Sequence, residues 1–328
     1  MLRIGLLGCG RIGKVHAASL GQIGNACLGA VADPVAAAAE ALANKTGTLN
    51  MKASNLISAP EIDAVVICTP TDTHFDLIHQ AAAAGKAIFC EKPVDLSVDR
   101  IRTCQSVVAR AGVTFMSAFN RRFDPNFAAM QRRLANGEIG EIELLTIFSR
   151  DPAPPTIAYI KSSGGLFRDM MIHDLDMARF LLGEEPNLVM AAGSCLVDAE
   201  IGEAGDVDTA AVTLRTASGK ICQISNSRRA SYGYDQRIEV HGSKGMLRAD
   251  NMLENSVEIA TEAGFRRAPA QYFFLERYAE AYRLEMVHFI ESTLSRRQPS
   301  PNIDDGLQAQ ILADAAATAL QTGQPQSV

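Results

Sequence analysis

A histidine and an aspartate stand four positions apart in one segment, Asp169 and His173. The apolar spacing from Leu166 to Leu182 predicts a helix, on which residues i and i+4 share a face and can act on one small molecule. A neutral imidazole can accept a hydroxyl proton, and a carboxylate can orient the ring and stabilise the imidazolium. Asp174 and Asp176 crowd the same helix, so a metal site is the alternative, but no second His or Cys lies at ligand spacing. The pair predicts a proton-transfer site.

A glycine-rich loop near the start of the chain has the spacing of a dinucleotide-binding motif, and it reads Gly8-Cys9-Gly10-Arg11-Ile12-Gly13. It follows a predicted strand and opens a predicted helix, which is the context that this motif requires. Gly8 permits the tight turn, Gly10 lets the backbone approach a pyrophosphate, and Gly13 lets helix and strand pack closely. The N–H groups of the helix N-terminus then face the anion, so we expect Arg11 and Ile12 to line the same site.

An acidic residue, Asp33, follows Gly13 by 20 positions and ends the second predicted strand. A carboxylate there can accept hydrogen bonds from the adenosine ribose hydroxyls, and it repels a 2′-phosphate. The sequence therefore predicts NAD rather than NADP. Asp33 is also a candidate N-cap for a helix over residues 35–43, and it could serve both purposes.

Two different rhythms of strands and helices divide the chain. The first alternates short apolar runs with helical segments, which predicts an α/β domain with a Rossmann-type, doubly wound parallel sheet over residues 1–120. Beyond it, over 121–328, consecutive strands between residues 188 and 249 predict an α+β domain on a largely antiparallel open sheet. Two further helices, about Tyr272 to Ser295 and Ile303 to Thr322, close the chain.

Composition excludes several classes of protein. The 31 Lys and Arg against 37 Asp and Glu give a net charge of −6 without long like-charge blocks, so nucleic acid is not an expected partner. The seven cysteines include no Cys-x-x-Cys pair, which favours a reducing cytoplasm over a disulfide framework. No apolar run approaches the roughly 20 residues that cross a bilayer, so no membrane association is expected.

Further motifs carry a resemblance to a known family over essentially the whole chain. They are Thr69-Pro70-Thr71-Asp72-Thr73-His74, Glu91-Lys92-Pro93, Phe119-Asn120-Arg121-Arg122-Phe123 and Gly164-Gly165-Leu166-Phe167-Arg168-Asp169-Met170-Met171-Ile172-His173-Asp174. The first two follow strands at the edge where open α/β sheets bind ligands. Together these motifs resemble the glucose–fructose oxidoreductase/inositol dehydrogenase family.

The resemblance implies roles for particular residues. His173 would be the general base, Asp169 its orienting carboxylate, and Lys92 a donor to the reacting oxygen, with the Lys92–Pro93 peptide commonly cis. Contacts to the cofactor NAD would come from Thr69, Pro70, His74, Glu91 and Lys92 besides the glycine loop. Contacts to substrate would come from Asn120, Arg121, Arg122, Asp151 and Tyr234 besides Lys92, Asp169 and His173. Arg121 and Arg122 could instead pair with Asp124 on the surface.

The run from Asp169 to Leu181 most closely resembles bacterial myo-inositol 2-dehydrogenases. This implies NAD-dependent oxidation of a cyclic polyol hydroxyl to a ketone, with myo-inositol the first candidate and 2-keto-myo-inositol its product. Another inositol isomer, a pyranose sugar and an anhydrosugar remain alternatives. A non-catalytic NAD-binding sensor is the alternative of another class, but it would not need Lys92, Asp169 and His173 together.

Family members commonly form dimers and tetramers through the open sheet, so we expect a homotetramer. Residues 189–192 and 210–214, which read as apolar on both faces, fit that expectation.

Overall fold

A computed structural model describes all residues 1–328, which divide into two compact units. The first unit combines Met1–Phe123 with Glu280–Gln310, and the second combines Asp124–Ala279 with Ile311–Val328. The predicted boundary at residue 120 lies near the first division. The sequence did not predict that residues 280–310 belong to the first unit. An apolar helix face shows that a helix packs against something, but it does not show which element is its partner.

The first 118 residues alternate strands with helices. In chain order they form β1 (Leu2–Leu7), α1 (Arg11–Leu20), β2 (Ala26–Ala32), α2 (Ala36–Thr46), β3 (Leu49–Asn50), α3 (Ala53–Ser58), β4 (Ala64–Ile67), a 3₁₀ turn (Thr71–Thr73), α4 (His74–Ala83), β5 (Ala87–Glu91), α5 (Val98–Ala111) and β6 (Phe115–Ala118). The strands build one parallel sheet in the order β3-β2-β1-β4-β5-β6, as the Rossmann-type prediction required. β3, α3 and the 3₁₀ turn were not predicted, since elements of two, six and three residues are too short to show a period.

The order of the strands brings the predicted cofactor loops together. All four residues of β4 are buried, as expected for a strand covered on both faces. β1, β4 and β5 are neighbours in the sheet and run in parallel, so their carboxyl ends share one edge. The loops after them begin at Gly8, Cys68 and Lys92, which places three of the predicted motifs side by side.

The remaining chain begins with a helix and continues mainly as strands. Its elements are a 3₁₀ turn (Asn120–Phe123), α6 (Pro125–Ala135), β7 (Ile142–Arg150), α7 (Ile157–Ser163), a π-helix (Phe167–Met171), α8 (Ile172–Leu182), β8 (Pro186–Ser194), α9 (Ala199–Glu203), β9 (Thr209–Thr216), β10 (Ile221–Ser227), β11 (Asp235–Gly242), β12 (Gly245–Ala249), β13 (Glu258–Thr261), β14 (Gly264–Arg267), α10 (Phe274–Arg277), α11 (Ala279–Ser295), α12 (Ile303–Thr322) and β15 (Gln326–Ser327). No helix among them combines the length and apolarity of a bilayer crossing.

The sheet of the second unit has seven strands in the order β12-β11-β7-β10-β9-β8-β15. Only β7 and β10 pair in parallel, so the prediction of a largely antiparallel sheet is confirmed. In β9 one face is covered, and the other, which the sequence predicted to carry apolar residues as well, is open. Ala210, Val212 and Leu214 are buried there, whereas Ala211 and Arg215 are exposed, because only one face of the strand is covered.

Two predicted helices are interrupted. The predicted helix over residues 166–182 is a π-helix, Phe167–Met171, that runs into α8. Single π-turns within helices often occur at functional sites, and this one contains Asp169. The predicted helix over residues 272–295 is divided at Tyr278, where the backbone leaves helical geometry. The hydrophobic period of 3.6 residues, from which both helices were predicted, does not reveal a π-turn or a break at one residue.

A buried carboxyl group belongs to α11 within the first unit. Glu285 is fully buried, and neither of its side-chain oxygens has a hydrogen-bond partner. Burial, with a smaller contribution from the negative charge of Glu91, raises the pKa of Glu285 well above its ordinary value. Folding therefore favours the protonated form of this side chain.

Glu285→Gln should remove a pH-dependent loss of stability. The unfolded chain ionises at the ordinary pKa of 4.5 and the folded chain only at a higher pH, so the contribution of this group to wild-type stability falls as pH rises above 4.5. The loss approaches about 1.4 kcal/mol per pH unit until the folded group ionises. Thermal unfolding of both proteins between pH 4 and 8 should show a melting-temperature difference that grows with pH in favour of the variant. Glu291→Gln, at an exposed position of the same helix, is the matched control, and an equal pH slope in both variants would contradict the assignment.

Candidate active site

The glycine loop has the backbone geometry that its spacing predicts. Gly8 has φ of +98°, and a Cβ there would lie 2.6 Å from the carbonyl of Cys68. A Cβ on Gly13 would lie 1.9 Å from the carbonyl oxygen of Gly8, so α1 packs against the loop at a distance that only glycine permits. A Cβ on Gly10 would meet no atom within 4 Å. Packing therefore does not require glycine at position 10, whereas close approach by a ligand would.

The start of α1 fits a dinucleotide phosphate. No side chain caps the helix at Gly10, and its first turn contains no acidic residue that would compete with an anion. Arg11 is exposed at this end of the helix. Beside it, burial and the nearby Asp33 carboxylate raise the pKa of the Cys9 thiol to about 11, so Cys9 is an unreactive packing residue.

Asp33 holds the loop and retains capacity to accept further hydrogen bonds. Its Oδ2 accepts a 2.6 Å hydrogen bond from the Cys9 N–H, and its Oδ1 accepts one of 2.8 Å from Val35. Helix α2 begins at Ala36, and its N-cap is Val35, which provides no side-chain cap. Asp33 therefore fixes the turn before the helix rather than capping it. A carboxylate offers about four lone-pair sites, which leaves room for ribose hydroxyls.

The loops after β4 and β5 are tied to each other by His74. This side chain is 1% exposed, with Nδ1 3.0 Å from the Pro93 carbonyl oxygen and Nε2 2.9 Å from that of Thr69. Burial lowers the pKa of His74. Thr73 donates to Thr69 Oγ1 and to the Pro70 carbonyl, which closes the turn between them. His74 therefore positions both loops, and direct contact between His74 and a cofactor stays a prediction.

Lys92 is the first residue after β5, and the residues on both sides of it are held in place. Before it, Glu91 accepts a 2.7 Å contact from Nε2 of His16, which is fully buried on α1 with its ring against Phe89. After it, the Lys92–Pro93 peptide is cis, as the resemblance implied. The half-buried lysine is thus placed by contacts of both adjoining residues.

In the second unit, Asp169 is held by two residues that the sequence did not indicate. Tyr159 on α7 donates a 2.9 Å hydrogen bond to Asp169 Oδ1, and Nη1 of Arg228 lies 3.5 Å from Asp169 Oδ2. His173 lies in the first turn of α8 and is half-buried. Asp169 and His173 remain on one helical segment. Their partners come from distant positions in the chain, so no spacing rule could have found them.

The other carboxylates of this helix have structural partners. Asp174 is fully buried and accepts a 2.9 Å hydrogen bond from Asn226, while Asp176 pairs with Arg179. No group of three or more potential metal ligands gathers anywhere in the structure. The chemistry of the segment is thereby concentrated on Asp169 and His173.

The arginines proposed for substrate contact are buried. Asn120, Arg121 and Arg122 are between 3% and 7% exposed. The alternative that these arginines pair with Asp124 on the surface is wrong, because Asp124 is buried as well, at 1% exposure. Arg122 contacts Asp305 at 2.8 Å, and Asp124 pairs with the buried Arg277.

The last two substrate candidates lie in the second unit. Asp151 is half-buried directly after β7, where its N–H donates to the Ser227 carbonyl. Tyr234 is 4% exposed and its ring meets that of Tyr278 edge-on. Contact of either with substrate stays a prediction.

Comparisons with known proteins agree with this geometry. The model of an oxidoreductase family with an NAD-binding Rossmann fold matches residues 2–119, and that of the GFO/IDH/MocA C-terminal domain matches residues 127–248. Inositol 2-dehydrogenase of Rhizobium meliloti (strain 1021) is 56% identical over 96% of both chains.

Solved structures are similar over the full length. A myo-inositol dehydrogenase from Corynebacterium glutamicum has a TM-score of 0.96 and 44% identity, covering 100% of this chain and 99% of the other. A scyllo-inositol dehydrogenase from Lactobacillus casei, with bound NAD(H) and scyllo-inositol, has a TM-score of 0.92 and 32% identity, covering 100% and 99%. The chain belongs to the glucose–fructose oxidoreductase/inositol dehydrogenase (GFO/IDH/MocA) family of NAD-binding oxidoreductases.

Proposed function

We propose that this protein oxidises one ring hydroxyl of a cyclic polyol to a ketone with NAD, and that myo-inositol, giving 2-keto-myo-inositol, is its substrate. The observation that carries the proposal is the half-buried His173 on one segment with Asp169, whose two oxygens face Tyr159 and Arg228. The 56% identity to an inositol 2-dehydrogenase supports the choice of substrate. The relative solved with scyllo-inositol makes that isomer the second candidate.

Each residue has one task in the proposed reaction. Bound NAD supplies the hydride acceptor. His173 takes the hydroxyl proton as neutral imidazole becomes imidazolium, and the Asp169 carboxylate stabilises that charge. Lys92 donates a hydrogen bond to the oxygen as it becomes a carbonyl.

Further contacts complete the proposed site. Gly8, Gly10, Arg11, Ile12 and Gly13 would hold the pyrophosphate, and Asp33 the adenosine ribose. Thr69, Pro70, His74 and Glu91 would shape the nicotinamide end, directly or through Lys92. For the substrate ring we propose Asn120, Arg121, Arg122, Asp151 and Tyr234 as hydrogen-bonding residues.

Initial rates with NAD should be highest for myo-inositol in a panel that also holds scyllo-inositol, D-chiro-inositol, glucose and xylose. NADP should give a lower kcat/KM than NAD, because the Asp33 carboxylate repels a 2′-phosphate. Asp33→Ser should narrow that preference. A dominant rate with glucose or xylose would overturn the choice of substrate, and an equal or higher kcat/KM with NADP would overturn the role of Asp33.

His173→Ala should lower kcat by about 10²–10⁴, the range for a positioned acid–base group, with NAD affinity nearly unchanged. Asp169→Asn should lower kcat by less than His173→Ala does, because the proposed role of Asp169 is to orient the imidazole. Lys92→Ala should lower kcat and weaken substrate binding. Steady-state rates over a pH series, with NAD binding followed by calorimetry, check all three. Wild-type turnover and pH dependence in His173→Ala would place the base elsewhere.

We also propose that the protein is a cytoplasmic homotetramer. In the second unit Ile221, Met190 and Phe265 are large apolar side chains with 39%, 39% and 77% exposure, which favours burial against another copy. Light scattering at micromolar concentration should give four times the 35.1 kDa chain mass. A monomeric mass would be incompatible with this assembly.

A further inference from the structure

Arg228 is a fully buried cation that the proposed reaction does not yet use. It follows β10 directly, is 1% exposed, and its main-chain N–H donates a 2.8 Å hydrogen bond to the Asp208 carbonyl. A guanidinium keeps its charge at all physiological pH values, and burial of that charge is costly unless it is balanced. A buried arginine beside a proposed catalytic carboxylate therefore requires an explanation.

Two carboxylates from different segments face this guanidinium. Nη1 lies 3.5 Å from Asp169 Oδ2, and Nη2 lies 3.8 Å from Asp206 Oδ2. Both carboxylates have side chains only 12% exposed. Nε and Nη2 of Arg228 make no hydrogen bond. The guanidinium therefore contacts the two carboxylates as ion pairs, and not through two parallel hydrogen bonds to one carboxylate.

Asp206 connects the guanidinium to the start of the segment that carries Asp169. Both of its side-chain oxygens lie 3.0 Å from the N–H of Leu166, the residue before the π-helix. Gly165 is kept small at this point, since a Cβ there would lie 2.7 Å from Asp206 Oδ1. Arg228 thus bridges the beginning of the segment and the carboxylate one turn later.

The charges of the three residues do not cancel. Two carboxylates and one guanidinium carry a net charge of −1 in a largely water-excluded place, where charges interact more strongly than in water. An imidazolium formed at His173, on the same segment, would bring one positive charge. The contacts from Tyr159 and Arg228 hold Asp169 in one orientation, which the proposed reaction requires if its carboxylate is to stabilise that imidazolium.

We propose that Arg228 is a positioning residue that, anchored by Asp206, fixes the Asp169 carboxylate for the reaction. This rests on the proposed function, in which Asp169 acts on the His173 imidazolium. Arg228 itself need not touch substrate or cofactor.

The test is a double-mutant cycle of Arg228→Lys and Asp169→Asn. Lysine keeps the positive charge but has a single nitrogen in place of the two guanidinium nitrogens that face Asp169 and Asp206. Arg228→Lys should lower kcat by about 10–100-fold, as expected for a small displacement of a catalytic group, with the NAD dissociation constant within about twofold of wild type. In the Asp169→Asn background the same change should cost less than about twofold, because a residue that acts through Asp169 has nothing left to position.

Arg179→Lys is the matched control. Arg179 is also a buried guanidinium between two carboxylates, Asp176 and Glu185, and it lies in the last turn of α8. Its substitution should leave kcat within about twofold of wild type, whatever it does to the melting temperature.

An unchanged kcat in Arg228→Lys, or a full loss repeated in the Asp169→Asn background, would overturn the proposal. Wild-type kcat in Asp169→Asn alone would instead remove Asp169 from the proposed reaction, and the positioning role with it. If Arg228→Lys fails to fold, kcat of Asp206→Asn tests the proposal instead. Asparagine keeps an oxygen that can accept from the Leu166 N–H, but it removes the negative charge that anchors Arg228. A reduced kcat with unaltered NAD affinity supports the role of Arg228, and an unaltered kcat rejects it.

Discussion

The close approach of α1 to the end of β1 is the contact on which the first unit depends. With a Cβ of position 13 only 1.9 Å from the Gly8 carbonyl oxygen, any side chain would push helix and loop apart. The approach aims the uncapped N-terminus of α1 at the sheet edge and lets Asp33 accept from the Cys9 N–H. The geometry of an anion site thus follows from the absence of two Cβ atoms and the presence of one carboxylate.

Around that edge, buried polar side chains fix the loops that carry chemistry. His16 holds Glu91 next to Lys92, and His74 joins the Thr69 loop to Pro93. These contacts fix the residues on both sides of the lysine. The same principle operates separately in the second unit, where Tyr159 and Arg228 restrict Asp169. A catalytic side chain must be held within a fraction of an ångström, and these partners would provide that restraint in the proposed reaction.

Most of the elements could be predicted from local pattern. The closing helix predicted from Ile303 to Thr322 is present as α12 with the same bounds, and the strand–helix alternation of the first 118 residues is present as predicted. The misses have a common cause. Elements such as β3 and the β13–β14 hairpin are too short to display a period, and the π-turn at Phe167–Met171 differs from an α-helix only in its hydrogen bonds.

The sequence by itself determined the cofactor loop, its acidic partner and the identity of the candidate base, because each depends on residue type and short-range spacing. Gly8, Gly13 and Asp33 act within one strand–helix–strand unit, where backbone geometry follows from the residues. Only the tertiary structure decided which charges meet. Asp124 pairs with Arg277, 153 positions along the chain, and Asp169 and Asp206 converge on Arg228. Buried ion pairs join residues that are distant in the chain, and it is the packing of sheets and helices that brings them within range.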